Sequence, residues 1–342
     1  MAGWDTLKDI IRLEIVQRRE EGCRVDGILE RWEQAGDDET KLMACYERLS
    51  ALRPAAEFPY EEPNGLDEIR ALAAPGSDIG VERLMAQSGD VWNDRFLGAW
   101  LVRSVGCMLG KPVEHPPYLE GEGGRAGWEN VKLWFEEASS WPIRDYVPKH
   151  SRAEQLYGLT ISHWGEPCLK GQVSHVISDD DIRYTVLGLI LLDDKGIEWD
   201  TWDVGKYWHW KLTYGQVCTA ETQAYRNFAQ VASHMESERP PGWESKLADV
   251  ALHLNPYREW IGAQIRVDAY AYAAAGRPRL AAELAWRDAR FSHVKNGIYG
   301  AMFVAGLHCG GFCRAGCRAH RVSGTGSNPA HVTAVGSRDG CG

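Results

Sequence analysis

The run DRFLGAWLVRSVGCMLG, residues 94–110, sets Leu97, Trp100, Leu101, Ser104, Val105 and Met108 three and four positions apart, the spacing that lines one face of an α-helix. The same period returns in IRYTVLGLILLDD (182–194), TAETQAYRNFAQVASHM (219–235) and RPRLAAELAWRDARFSH (277–293). In SHVKNGIYGAMFVAG (292–306) it runs through Val294, Ile298, Met302 and Ala305, and outweighs the turn signal of the Asn-Gly pair. Nowhere does the chain alternate apolar and polar residues over a strand's length beside a hairpin turn. Helices with one apolar face bury it against other helices, so the chain is read as all-α.

The chain has 342 residues, 44% of them hydrophobic, enough for one large core or two smaller ones. Its formal charge of −10 argues against non-specific nucleic-acid binding, which relies on Lys and Arg to displace counterions from phosphates. A small ligand or neutral partner fits better. The opening MAGWDTLKDI lacks a basic segment followed by an apolar one, and VLGLILL is far too short to span a bilayer. Cys23, Cys45, Cys107, Cys168 and Cys218 are scattered without paired spacing, as reduced thiols are. Together these features predict a cytoplasmic protein that uses no membrane.

Residues 1–72 read as charged, amphipathic helices. In DTLKDIIRLEIVQRREEG, Leu7, Ile10, Ile11 and Ile15 share a face that Glu14 interrupts. RPAAEFPYEEPNG and AAPGSD break helices, which puts a linker at 73–91 and a main domain at 92–306. In that domain Gly110 is the expected helix stop, and residues 111–178 are irregular and Trp-rich. No Gly-rich phosphate loop or GxSxG elbow is present, so nucleophilic Ser or Cys catalysis has no support.

The stretch SHVISDDDIRYTVLGLILLDD, residues 174–194, places Asp179, Asp180 and Asp181 directly before an apolar helix. One carboxylate suffices to cap a helix and meet its dipole. Two readings stand. Either the triplet caps the helix while Arg183 neutralises part of it, or adjacent carboxylates with the Ser178 hydroxyl hold hard divalent ions, which favour oxygen ligands.

In its ordered set of motifs the chain resembles the ADP-ribosylglycohydrolase family. DRFLGAWLVRSVGCMLGKPVE is similar to that family's opening helix and its GDxxGxPxE-type ending. SDDDIRYTVLGL is similar to its Thr-Asp-Asp-Thr metal motif, and FSHVKNGIYGAMFVAG to a later helix that starts with a Thr/Ser-His pair. The resemblance covers about residues 92–306. It implies an all-α hydrolase that uses two divalent ions, Mg²⁺ or Mn²⁺, to cleave N- or O-glycosidic bonds to ADP-ribose. The partner would be an ADP-ribosylated protein or a small ADP-ribosyl conjugate. By the same resemblance Glu114 is the catalytic carboxylate. The hydroxyl position of the metal motif falls on Ser178 or on Asp179; the second register, which aligns Tyr184 and Thr185 with the helix that follows, makes Asp180 and Asp181 the paired metal ligands. His293, with Gly297 and Tyr299 on the same helix, lies on the substrate side. Asn255, Gly262 and Arg266, in NPYREWIGAQIRVDAY, resemble a pocket-lining segment in which Arg266 would face a pyrophosphate. Cys107 stands where many relatives carry Asp, which marks a divergent branch.

The family closes its metal site with a second aspartate motif, roughly Asp-x-Asp-Thr, on a C-terminal helix, and this chain has no such motif. After Gly306 it turns rich in Cys, Gly, Arg and Ser. Cys309, Cys313, Cys317 and His320 match no trusted zinc spacing. The run GLHCGGFCR, back-translated and read one base on, can give AFIAAAFV, a natural continuation of the helix before it. Residues 307–342 are therefore expected to be an irregular tail in a shifted frame, leaving metal binding weak or absent and catalysis impaired. The alternative is a non-catalytic ADP-ribose-binding module or a scaffold.

Overall fold

A computed structural model describes residues 5–73, 81–232 and 239–311. Its first helices are α1 (Leu7–Glu20), α2 (Ile28–Ala35) and α3 (Glu39–Ala51). Thr6 starts α1 with a capping box: its hydroxyl accepts from the Asp9 amide, and its own amide donates to the Asp9 carboxylate at 3.1 Å. Ile11 and Ile15 of α1 pack with Ile28, Leu42 and Leu49 from the next two helices. Glu14, the interruption in the stripe, is as buried as its neighbours. Its carboxylate takes hydrogen bonds from Arg258 Nη1 at 2.6 Å and Arg18 Nε at 2.8 Å, so the charge is matched rather than solvated. Two short helices, α4 (Leu66–Leu72) and α5 (Val81–Met85), follow.

The chain divides into two compact units, Gln87–Ile182 and the described parts of Met1–Ala86 with Arg183–Gly342. The first contains α6 (Gly89–Gly110), α7 (Pro116–Leu119), α8 (Gly127–Glu137) and α9 (Ala153–Tyr157), with 3₁₀ turns at Lys111–Val113 and His163–Cys168. Tyr118, Trp134, Phe135, Val147, Leu159 and Leu169 form its core, and the indole N–H of Trp134 donates to the Pro148 carbonyl at 3.0 Å. The irregular, Trp-rich stretch is thus organised by a buried aromatic centre. Helix α10 (Asp180–Lys195) begins in this unit and continues into the other.

The second unit joins α1 to α5 with α11 (Thr201–Lys211), α12 (Thr219–Val231), α13 (Trp243–Leu252), α14 (Asp268–Ala273), α15 (Pro278–Ala289) and α16 (Asn296–Gly311). Trp208 lies at its centre, stacked on Tyr184 with ring centroids 4.9 Å apart and tilted against Phe291 at 5.2 Å. The N-terminal helices share this unit. Ile10 packs with Ala220 and Tyr257, and the Leu254 amide donates to the Tyr46 hydroxyl at 2.8 Å.

Two helix boundaries differ from the sequence reading. Helix α16 starts at Asn296, because Lys295 takes a left-handed φ of 44° with its amide donating to Asn64 Oδ1 at 2.8 Å. It also runs past Gly306 to Gly311. Cys309 falls one turn after Ala305 and prolongs the buried row of Ala301 and Ala305, its thiol donating to the Ala274 carbonyl at 2.9 Å. Among the described residues the β contacts are isolated bridges, Cys23 with Pro54 and Glu122 with Arg125. No helix among them is long and apolar enough to cross a membrane.

Candidate active site

Helix α6 delivers Arg103 and Cys107, one turn apart, and passes at Gly110 into the 3₁₀ turn that carries Lys111 and leads to Glu114. That turn is clamped from behind. The Ser162 amide donates to the Pro112 carbonyl at 2.8 Å, and Gly165 lies so close that a Cβ there would sit 2.4 Å from Pro112 Cα. A side chain at 165 would push the GKPVE turn away. The segment before α10 is drawn alongside α6 by sulfur: the Ile177 amide donates to Met108 Sδ at 3.2 Å, and Cys168 Sγ lies 3.5 Å from the same atom. Asp179, two residues on, therefore lands beside Cys107 and Lys111.

Asp179 is buried, and its carboxylate has three kinds of neighbour. Lys111 Nζ donates to Oδ2 at 2.7 Å, the Ile182 amide donates to Oδ1 at 3.3 Å, and Cys107 Sγ lies 3.5 Å from both oxygens. Asp179 thus caps the start of α10 through the Ile182 amide. Arg103 Nη2 donates to the Asp181 carbonyl at 2.5 Å and lies 3.6 Å from its carboxylate. Lys111 also reaches Glu114, 3.5 Å from Oε2. Ser178 is exposed next to this group.

The crowding of negative charge is legible in the acidities. Burial, then the Asp179 and Asp180 carboxylates, push Asp181 up to about 6. Partial desolvation also raises Glu114, although its side chain is 55% exposed; Lys111 pulls the other way, and Asp180 and Asp179 add to the rise. The Cys107 thiol is pushed up to about 12 by burial and by Asp179 and Asp181. Burial opposes the charge on Lys111, but the bond to Asp179 outweighs it and keeps the ammonium firmly protonated. Cys107, Asp179 and Asp181 each offer a donor atom within 4.8 Å of the others, a spacing that suits a shared cation.

The family model described as ADP-ribosylglycohydrolase matches residues 88–328. The chain belongs to the ADP-ribosylglycohydrolase family. No curated protein and no solved structure matches it. Membership makes this chain a glycosidase-like hydrolase, and the helical fold of the described residues agrees. The match begins at the start of α6 and extends beyond Gly306, into the segment the sequence reading set apart. Cys313, Cys317 and His320, like most of that segment, lie outside the described residues.

The residues expected on the substrate side of this glycohydrolase fall in the other compact unit, gathered around Ser292. Its hydroxyl accepts from Arg266 Nη2 at 3.0 Å and is 2.8 Å from His293 Nδ1, while its carbonyl accepts from Asn255 Nδ2 at 2.9 Å. Arg266 is fully buried. It also pairs with Glu221 at 2.9 Å and with Asp288, and lies over the Trp208 ring at 4.9 Å. His293 has no solvent contact; burial and then Arg266 hold its pKa well below the ordinary value, so the imidazole is neutral. Gly297 admits the Arg258 carbonyl, which a Cβ would meet at 2.9 Å, and the Tyr299 hydroxyl donates to the Pro63 carbonyl at 2.6 Å. Gly262 makes room for Glu221, whose Oε1 a Cβ would meet at 2.1 Å.

Lys111 and Arg103 went unrecognised in the sequence. Lys111 lies inside the quoted GKPVE motif and Arg103 one helical turn before Cys107, but nothing local pairs either with an aspartate about seventy residues away.

Proposed function

We propose that this chain hydrolyses the N- or O-glycosidic bond that joins ADP-ribose, or a related ribosyl group, to a protein or small conjugate, with help from divalent ions. The observation that carries the reading is the convergence of Cys107, Asp179 and Asp181 within 4.8 Å, in the same unit as Glu114 with its raised pKa. The donor chemistry fits a divalent cation: buried or half-buried anionic oxygens and a thiol, crowded enough to oppose their own ionisation. Asp179 and Asp181 would hold it, with Asp180 and Ser178 at the margin. When bound, a divalent ion supplies Lewis-acid polarisation and lowers the pKa of water.

The chain's own side chains do the rest. Glu114, on the clamped turn, takes the proton of the attacking water as positive charge grows at the anomeric carbon. Its raised pKa brings it nearer the pH at which a carboxylate both accepts and releases a proton. Lys111 holds the Asp179 and Glu114 carboxylates in a fixed relation, and Arg103 anchors Asp181. Within the other unit, His293, Asn255 and Arg266 fix the backbone around Ser292. The scattered spacing of Cys23, Cys45, Cys107, Cys168 and Cys218 along the chain is what supports a cytoplasmic location.

The test is release of free ADP-ribose from arginine- and serine-linked conjugates, with Mg²⁺, Mn²⁺ or Zn²⁺ and with a chelator. Release that needs an ion, and a turnover that falls roughly 10²–10⁴-fold in Glu114→Gln while ADP-ribose affinity holds, is the expected result. No release under any ion, with ion-independent binding of ADP-ribose, would make the chain a binding module. The Lys111–Asp179 pair, a cation already in place, is the feature that favours this second reading.

A further inference from the structure

We propose that Cys107 ligates the ion together with Asp179 and Asp181, so that the site takes a borderline cation of the zinc class in preference to magnesium. The inference rests on the metal-dependent reading above. It starts from a spacing. Cys107 Sγ lies 3.5 Å from each Asp179 oxygen, and the three donors lie within 4.8 Å of one another. Around a tetrahedral zinc, with Zn–S about 2.3 Å and Zn–O about 2.1 Å, neighbouring sulfur and oxygen ligands are about 3.6 Å apart. Around magnesium, neighbouring oxygens in the octahedron are about 3 Å apart, and all six ligands are oxygen. The thiol's 3.5 Å hydrogen bonds to Asp179 thus match the separation of two zinc ligands, so the sulfur could take that place with little movement, and sulfur is the wrong chemistry for magnesium.

The surroundings point the same way. Lys111 holds Oδ2 of Asp179 at 2.7 Å, whereas Oδ1 takes only the longer 3.3 Å bond from the Ile182 amide, so a single oxygen, Oδ1, would be the one to meet an ion. Three protein ligands and one open position is the format of a catalytic zinc site rather than a structural one. On binding, the thiol proton leaves to solvent and the sulfur–metal bond replaces it. Cys107 is held where this can happen because it lies one turn after Arg103 on α6, and Arg103 holds Asp181 to the same helix.

The experiment is an anaerobic Co²⁺ titration of the reduced full chain, read by thiolate-to-cobalt charge-transfer absorption, with Zn²⁺ and Mg²⁺ as competitors. A difference band between wild type and Cys107→Ser, displaced by Zn²⁺ and not by a hundredfold excess of Mg²⁺, is expected. Zinc affinity should fall more than about 100-fold in C107S, beyond what loss of an outer partner costs. Cys107→Asp, which restores an all-oxygen donor set, should bind Mn²⁺ with no such band. An unchanged band in C107S would assign the absorption to other thiols, such as Cys313 and Cys317, and overturn the inference. Mn²⁺ binding that is lost in Asp181→Asn but equal in wild type and C107S would also overturn it, while leaving the metal-dependent reading intact. Failure of every ion to bind would sink both.

Discussion

Replacing Arg266 by methionine separates a structural arginine from a substrate-binding one. The guanidinium is fully buried and bonds to Asp288, Glu221, the Asp288 carbonyl and Ser292 Oγ, while Tyr270 donates to Asp288 from the other side. Methionine keeps the apolar stem against Trp208 but leaves the Glu221 and Asp288 carboxylates buried without their shared cation. Breaking a buried pair in this way costs about 3–5 kcal/mol. For a unit of this size each kcal/mol lowers the melting temperature by roughly 2–4 °C, so a drop of roughly 6–20 °C is expected. The assay is thermal and urea unfolding at pH 7.5. A variant as stable as wild type that has lost ADP-ribose affinity would refute the structural role and return Arg266 to the pyrophosphate.

The acidic cluster and the aromatic core make further tests. In metal-free protein, Asp181 keeps its proton up to about pH 6, whereas the unfolded chain releases it near pH 3.9, so stability from this group falls as pH rises through that window. Asp181→Asn should flatten the decline and stabilise the metal-free protein at pH 7.5 by about 1–3 kcal/mol, measured by urea midpoints in chelator; an unchanged slope would contradict the crowding. Gly205→Ala places a Cβ 2.6 Å from Phe228 Cζ and 2.7 Å from Phe291 Cε2, and should cost about 1–3 kcal/mol in the same assay. A neutral result would mean that the rings around Trp208 yield freely. Gly165→Ala, by pushing on Pro112, should lower turnover of an ADP-ribosyl conjugate without changing overall helicity by circular dichroism; full activity would show that the clamp does not position Glu114.

Much of the architecture was legible because helical burial is periodic and local. Leu187, Leu191, Ala281, Leu284, Ala285, Ile298, Ala301 and Ala305 repeat at the spacing of one helical face, and all are buried. Boundaries were less so. The left-handed Lys295 that delays α16 answers to Asn64, and the five extra residues at its end follow a cysteine whose tail-like context hid its place in a helical row. The site was half legible. Glu114 and the aspartate triplet stood out by motif, but the cations that organise them did not, and neither did the burial of Arg266 and His293.

By itself, then, the sequence determined the helical class, the family and the carboxylates at the start of α10, since each rests on residues that are neighbours along the chain. Tertiary structure alone decided which charges meet. Lys111 pairs with Asp179 across 68 positions, Arg103 with Asp181 across 78, and Arg258 with Glu14 across 244. No periodicity encodes such pairs, because a long charged side chain is as compatible with a solvated helix face as with a buried partner until packing removes the water. Glu14 shows the principle most directly. In the sequence it reads as a flaw in an apolar stripe, and in the fold it is the buried anion that joins the first helix to Arg258.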